Sequence, residues 1–217
     1  MSLASEPTLA RVSRAGRYRG AVTGRPLPEH DAEIAALPRS LRATLASIAP
    51  GTALRDGLPI LAVPTTYAGS EMTPIWGMTE AGLKTTGRDV SVLPKTVIYD
   101  PNLTLGLPVG MSVASGLNAM AHAVEGLYAP DANPVTSLMA VDGLRALKSA
   151  LPVIVASPED VTARSEALYG SWLCGAVLGS VAMSLHHKLC HTLGGSFDLP
   201  HAETHAILLP HTAAYNQ

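Results

Sequence analysis

Six of the eight histidines in this chain of 217 residues lie between Leu185 and His211, and their spacing limits what the chain can build. His187 and His191 stand four apart, as do Asn118 and His122 at the end of the apolar segment Gly116–His122. Residues at that spacing share one face of a helix. Gly194-Gly195 predicts the end of the second helix, and a loop then returns the chain to His201. Two helices and a loop thus offer several imidazoles to one small volume, which is how a metal site or a proton-transfer site is made.

The remaining residues narrow the function classes. A formal charge of −2 gives no electrostatic case for nucleic acid or an anionic membrane as partner, and 4% aromatic content offers little for stacking on bases. Cys174 and Cys190 are too few for a disulfide framework and suit a reducing cytoplasm. No charged segment followed by an apolar one opens the chain, so no secretory signal is expected. Ala167–Leu185 is uncharged and long enough to span a bilayer. Its Gly170, Ser171, Gly175, Gly179, Ser180 and Ser184 instead suit a closely packed, buried helix pair in a soluble protein.

Along the chain, Leu58–Pro64 reads as a buried parallel strand, with Thr65 and Thr66 at its carboxyl end, where open α/β sheets bind ligands. Ile75–Met78 predicts another strand, Gly82–Arg88 a turn, and Thr96–Tyr99 a third strand that ends at Asp100-Pro101. Helices take over from Pro108. Ser112 or Ser115 is expected to start the Asn118/His122 helix. Asn133-Pro134 starts the next, running to about Ala150, with Leu138, Val141, Leu144 and Leu147 toward the core. Ser157-Pro158-Glu159-Asp160 opens a third. Met1–Arg55 holds eight of the eleven arginines, no lysine and no apolar period. It reads as a disordered or weakly helical extension, with short helices possible at Asp31–Leu37 and Leu41–Ile48. The expected organisation is therefore a divergent segment 1–55, an α/β portion 56–110 and a helical domain 111–217.

Several words of this chain have a family look. Asn118…His122, Pro64-Thr65-Thr66-Tyr67-Ala68-Gly69-Ser70-Glu71-Met72-Thr73-Pro74, Glu125-Gly126-Leu127-Tyr128-Ala129, His186-His187-Lys188-Leu189-Cys190-His191-Thr192-Leu193-Gly194-Gly195 and His201 together resemble the iron-containing alcohol dehydrogenase family, in its maleylacetate reductase branch. The resemblance spans about residues 58–216. It implies a dehydroquinate-synthase-like fold: a partial dinucleotide-binding, Rossmann-like α/β domain followed by an all-α domain. It also implies reduction of the C=C bond of maleylacetate to 3-oxoadipate, with NADH or NADPH, in aromatic-compound degradation. The family's metal positions fall on Asn118, His122, His187 and His201. Because Asn118 puts a neutral amide where the family has an aspartate, no tightly bound metal is expected.

The polar work then falls to His122, His187, His191 and His201 as catalytic residues, with His191 beside the nicotinamide. Lys188 is a counter-charge for a carboxylate of the small dicarboxylate substrate. Thr65, Thr66, Ser70 and Lys84 become cofactor contacts, and Tyr67 packs. His186, His205 and His211 read as core imidazoles bonded to backbone carbonyls. The resemblance has limits. Residues 1–55 do not match and contain no Gly-Gly-Gly-Ser turn for a pyrophosphate, and the family continues well past Gln217. Both ends of the enzyme are therefore expected to be missing, leaving an open sheet edge that pairs with another copy, as in a homodimer. Two other readings stand beside the reductase: a metal-dependent alcohol dehydrogenase of the same family, and an inactive fragment.

Overall fold

The computed structural model describes residues 59–80 and 83–216, with backbone alone for the strand residues 77–80 and 83–86. The readings for Met1–Arg55 and for the Lys84 side chain lie outside the described residues.

Among the described residues, two small sheets precede five α-helices. The apolar run after Pro59 forms β1 (Leu61–Ala62), which pairs in parallel with β4 (Thr96–Val97) through Leu61↔Thr96 and Ala62↔Val97. This is the parallel pairing expected of a buried βα-type strand. Between them, β2 (Ile75–Glu80) and β3 (Leu83–Arg88) make an antiparallel hairpin from Ile75↔Arg88 to Glu80↔Leu83. The expected turn at Gly82–Arg88 is thus a strand. Its Lys-Thr-Thr run satisfies its backbone by pairing with β2, a partner that local turn residues do not reveal.

The helices are α1 (Val109–Leu127), α2 (Pro134–Ala156), α3 (Val161–Ser180), α4 (Leu185–Phe197) and α5 (His201–Tyr215). α1, α2 and α3 pack against one another, while α4 packs on α5 and α5 on α1. α1 begins earlier than expected. Ser112 and Ser115 lie inside it, their hydroxyls bonded back to Pro108 O (3.1 Å) and Met111 O (2.7 Å), so neither caps it. Asn133 does cap α2: its Oδ1 accepts from Val135 N and Thr136 N, and Thr136 Oγ1 accepts from Asn133 N. α3 is capped by Asp160, which accepts from Ala163 N, and not by Ser157. α4 runs straight through Gly194-Gly195 and stops at Asp198, in the left-handed region at φ 51°. Only Asp198–Pro200 then separates it from α5.

The core is built largely of small side chains. Ala119 and Ala123 of α1, Ala140, Leu147, Ala150 and Ile154 of α2, and Ala167, Leu168, Cys174 and Val177 of α3 surround the buried Tyr67. The stripe expected on α2 is rotated. Leu147 is buried and Leu144 half-buried, but Leu138 is 72% and Val141 46% exposed. Alanine and glycine face the neighbouring helices instead and let them approach closely. The loop after β1 is pinned in the same way. Gly69, at φ 73°, lies against α3, and a Cβ on Gly175 would stand 2.0 Å from Gly69 O. Among the described residues no single helix is long and apolar enough to cross a membrane. The uncharged run is broken where α3 meets α4 at 95°.

Candidate functional site

α1 ends in a turn that carries Asn118, His122 and Glu125 on its buried side, facing the start of α4. Glu125 organises the junction. Its Oε1 accepts from Ser184 N (2.8 Å) and His186 N (2.9 Å), and its Oε2 from His187 N (3.3 Å). Ser184 provides no side-chain cap for α4, so Glu125, reaching across from α1, satisfies the N–H groups at the amino end of α4. The same Oε2 accepts a short bond from His187 Nδ1. Burial pushes the Glu125 carboxyl up, but His187 and the donors Ser184 N and His186 N outweigh it and leave the pKa below the usual value.

His187 reaches onward. Its Nε2 lies 2.8 Å from His122 Nδ1, the rings stacked with centroids 4.9 Å apart. The His122 ring also lies against the backbone of Ala68, in the loop that follows Thr65 and Thr66. Glu125, His187 and His122 therefore form one buried hydrogen-bonded chain that ends at this loop. Burial, then the neighbouring His187 and His201, hold His122 far below the ordinary imidazole value.

His205 is the hub of the remaining imidazoles. Its ring lies 4.4 Å from His201, 4.8 Å from His186, 4.9 Å from His187, 6.3 Å from His122 and 6.5 Å from His191. The expectation that His186 and His205 are isolated core imidazoles on backbone carbonyls is corrected here. Both are buried, but His186 Nε2 bonds His205 Nδ1 at 2.9 Å and His186 Nδ1 meets Thr212 Oγ1 at 2.9 Å. His211 is exposed.

Of the residues singled out from sequence, His122 and His187 are brought into contact, and His191 and His201 meet at 5.8 Å on a more open side. Lys188 is exposed, unlike its neighbour His187, because successive helix residues point about 100° apart. Thr65 and Thr66 are buried at the carboxyl end of β1, and Ser70 is half-buried in the turn Ser70–Met72. Tyr67 packs as expected: it is fully buried, and its hydroxyl bonds Thr104 Oγ1. Glu125 went unrecognised as a functional group, although a carboxylate three residues after His122 in an otherwise apolar helix is a readable signal.

Residues 112–217 match the Fe-containing alcohol dehydrogenase family, C-terminal. This part of the chain is similar to the iron-containing alcohol dehydrogenase family. The chain is 68% identical over 164 residues to a maleylacetate reductase of Burkholderia cepacia, covering 76% of this chain and 47% of the relative. The crystal structure of maleylacetate reductase from Rhizobium sp. strain MTP-10005 superposes with a TM-score of 0.75 at 63% identity, over 81% of this chain and 49% of that one. Sulfoacetaldehyde reductase from Bifidobacterium kashiwanohense, solved in complex with NAD+, has a TM-score of 0.69 at 27% identity, over 74% and 43%. The chain spans about half the length of the curated relatives it matches. The fold is that of this family: a small α/β portion leading into the helical domain.

The family's name implies a metal. Among the described residues, ligand atoms converge within 4.8 Å in two triads, His191/His201/His205 and His186/Cys190/His205, and neither is the set Asn118, His122, His187 and His201. The oxygen of that set, Asn118 Oδ1, is a neutral amide oxygen, a weaker ligand than a carboxylate, and it is buried without a hydrogen-bond partner among the described residues.

The neutral imidazoles carry a pH signature. Burial first, then His187, lowers His186 to about 4 from 6.5, and burial lowers His205 and His122 as well. An unfolded chain binds these protons more readily, so their contribution is complete above 6.5 and is lost as pH falls toward 4. The depressed pKa of Glu125 adds a further loss below 4.5. The urea midpoint should therefore fall steadily on acidification through this window. A flat or rising profile would contradict the buried, neutral state of the cluster.

Proposed function

We propose that this chain carries the helical-domain side of a maleylacetate reductase active site, reducing the C=C bond of maleylacetate to 3-oxoadipate with NADH or NADPH. The observation that supports it is the buried, hydrogen-bonded run Glu125–His187–His122, which ends against the loop that bears Thr65, Thr66 and Ser70. The reduced nicotinamide supplies a hydride, and everything else is the work of the protein. As the far alkene carbon is reduced, charge gathers on the ketone oxygen, and the neighbouring carbon needs a proton. An imidazole of the His187–His122 pair delivers that proton, and Glu125 orients His187 through their hydrogen bond. His201 and His191, on the open side of the cluster, donate to the oxygen and to the cofactor's amide edge. Lys188 is placed to meet a substrate carboxylate at the rim. Thr65, Thr66, Ser70 and Lys84 hold the cofactor.

On this reading the reaction needs no metal at the Asn118 set, and the enzyme is a cytoplasmic homodimer. Restoring the acid tests the point about metal. Asn118→Asp should raise Fe2+ affinity by at least about tenfold, since an anionic oxygen ligand suits a divalent ion far better than an amide. Isothermal titration of the two proteins decides it, and equal affinities would show that Asn118 is not what sets metal binding.

The function itself is tested by mixing the chain with NADH and maleylacetate and following the reduced nicotinamide absorbance. The same protein is then given simple alcohols with NAD and added iron. Turnover with maleylacetate supports the reductase. Alcohol oxidation that depends on iron would replace it with the metal-dependent alcohol dehydrogenase reading. Activity in neither would refute both for this chain.

A further inference from the structure

We propose that His186, Cys190 and His205 form a site for a thiophilic divalent ion such as zinc, bolting α4 to α5 apart from the His122–His187 pair. All three side chains are buried. His186 and Cys190 are four apart on α4 and present their donors to the same side. Cys190 Sγ lies 3.6 Å from His186 Nε2, and His205 Nδ1 lies 2.9 Å from that same nitrogen. Tetrahedral zinc holds a nitrogen and a sulfur about 3.6 Å apart and two nitrogens about 3.3 Å apart, from the usual bond lengths. The two pairs that share His186 Nε2 stand close to that spacing already, and all three donors lie within 4.8 Å of one another, so an ion needs only small side-chain movements.

The tautomers agree. Thr212 gives its hydroxyl proton to Leu208 O or Leu209 O, both at 3.2 Å, so its oxygen accepts from His186 Nδ1. That bond fixes the His186 ring and turns the lone pair of Nε2 toward Cys190 and His205, the arrangement that ligating histidines usually have. His205 Nδ1 then donates to His186 Nε2, and His205 Nε2 is buried without a partner. On binding, the thiol proton leaves to solvent and the His205 proton moves from Nδ1 to Nε2. The thiolate and the two neutral imidazoles then hold the ion and leave one coordination position open. A mixed thiolate and imidazole set selects zinc or cobalt over magnesium or calcium. The site departs from the expectation of a metal-free chain, and it involves none of the positions at which the family resemblance puts a metal.

Titration of the purified chain with Co2+, and back-titration with Zn2+, tests it. The expected result is one cobalt per chain, with a thiolate-to-cobalt charge-transfer absorption that one equivalent of zinc abolishes. Cys190→Ser should lose that absorption with its helical circular dichroism intact, whereas Cys174→Ser and His191→Gln should keep it. Absence of stoichiometric binding overturns the proposal. So does cobalt bound without the charge-transfer band, or a band that survives Cys190→Ser or disappears with His191→Gln. The readout needs no turnover, so its failure and that of the reductase reading are told apart.

Discussion

Replacing Glu125 with alanine should lower the unfolding free energy by about 3–5 kcal/mol, the scale for removing one partner of a buried charged pair. Three backbone N–H groups at the start of α4 lose their acceptor together, and His187 loses the carboxylate beside its proton. Glu125→Gln keeps the shape and one acceptor oxygen, so its loss of stability should be smaller. Its effect on chemistry should not be smaller. A neutral amide no longer brings a negative charge to His187, and on the proposed reductase reading turnover of maleylacetate should fall by about 10²–10⁴-fold, the usual worth of a placed acid or base. Urea denaturation followed by circular dichroism measures the first effect and nicotinamide absorbance the second. An alanine variant within about 1 kcal/mol of the parent would mean that Glu125 neither caps α4 nor pairs with His187, because that loss is no larger than an ordinary substitution's.

The second large effect belongs to Arg164, which is fully buried in the first turns of α3. Its Nε donates to Pro158 O (2.9 Å), one terminal nitrogen to Tyr67 Oη (3.0 Å) and Ser112 Oγ (2.8 Å), and the other to Leu107 O (3.3 Å). One guanidinium thus ties the loop after β1, the start of α1 and the entry to α3 together. These four acceptors are all neutral, so its desolvation is offset by several good hydrogen bonds. Arg164→Met retains the packing of the stem and strands those acceptors, each costing about 1–3 kcal/mol when buried and unmet. A total loss of about 3–5 kcal/mol is expected, a large part of a typical domain's stability. Arg164→Lys should recover little of it, since an ammonium cannot span four acceptors set out for a planar fork. A lysine variant with the parent's urea midpoint would show that charge alone, and not the fork, is what the site requires.

Both residues were hard to see beforehand, for a reason their contacts make plain. Arg164 sits in a stretch, Thr162-Ala163-Arg164-Ser165-Glu166, that reads as a solvated helix start, and its phenolic partner Tyr67 is 97 positions away. Glu125 is 62 positions from His187. His205 looked like one more apolar-face histidine until α5 folded back within three residues of the end of α4. Leu138 and Val141 keep a helical period yet face outward, because period gives a stripe and not the side on which neighbours lie.

The features legible from the residues alone are those set within a few positions of one another. These include the Asn133-Pro134 start of α2, the apolar β1 ahead of Thr65-Thr66, and the Asn118/His122 and His187/His191 pairs that each share a helix face. Capping, propensity and helical period act over one or two turns, so they are written locally. Only the tertiary structure decided that His187 meets His122 at 2.8 Å, that Glu125 closes the chain behind them, and that His205 stands at the centre of the imidazoles. Which donor faces which acceptor depends on how whole helices are rotated and pressed together, and that choice is made by burying the small-residue faces of α1, α2 and α3, far along the chain from the groups it aligns.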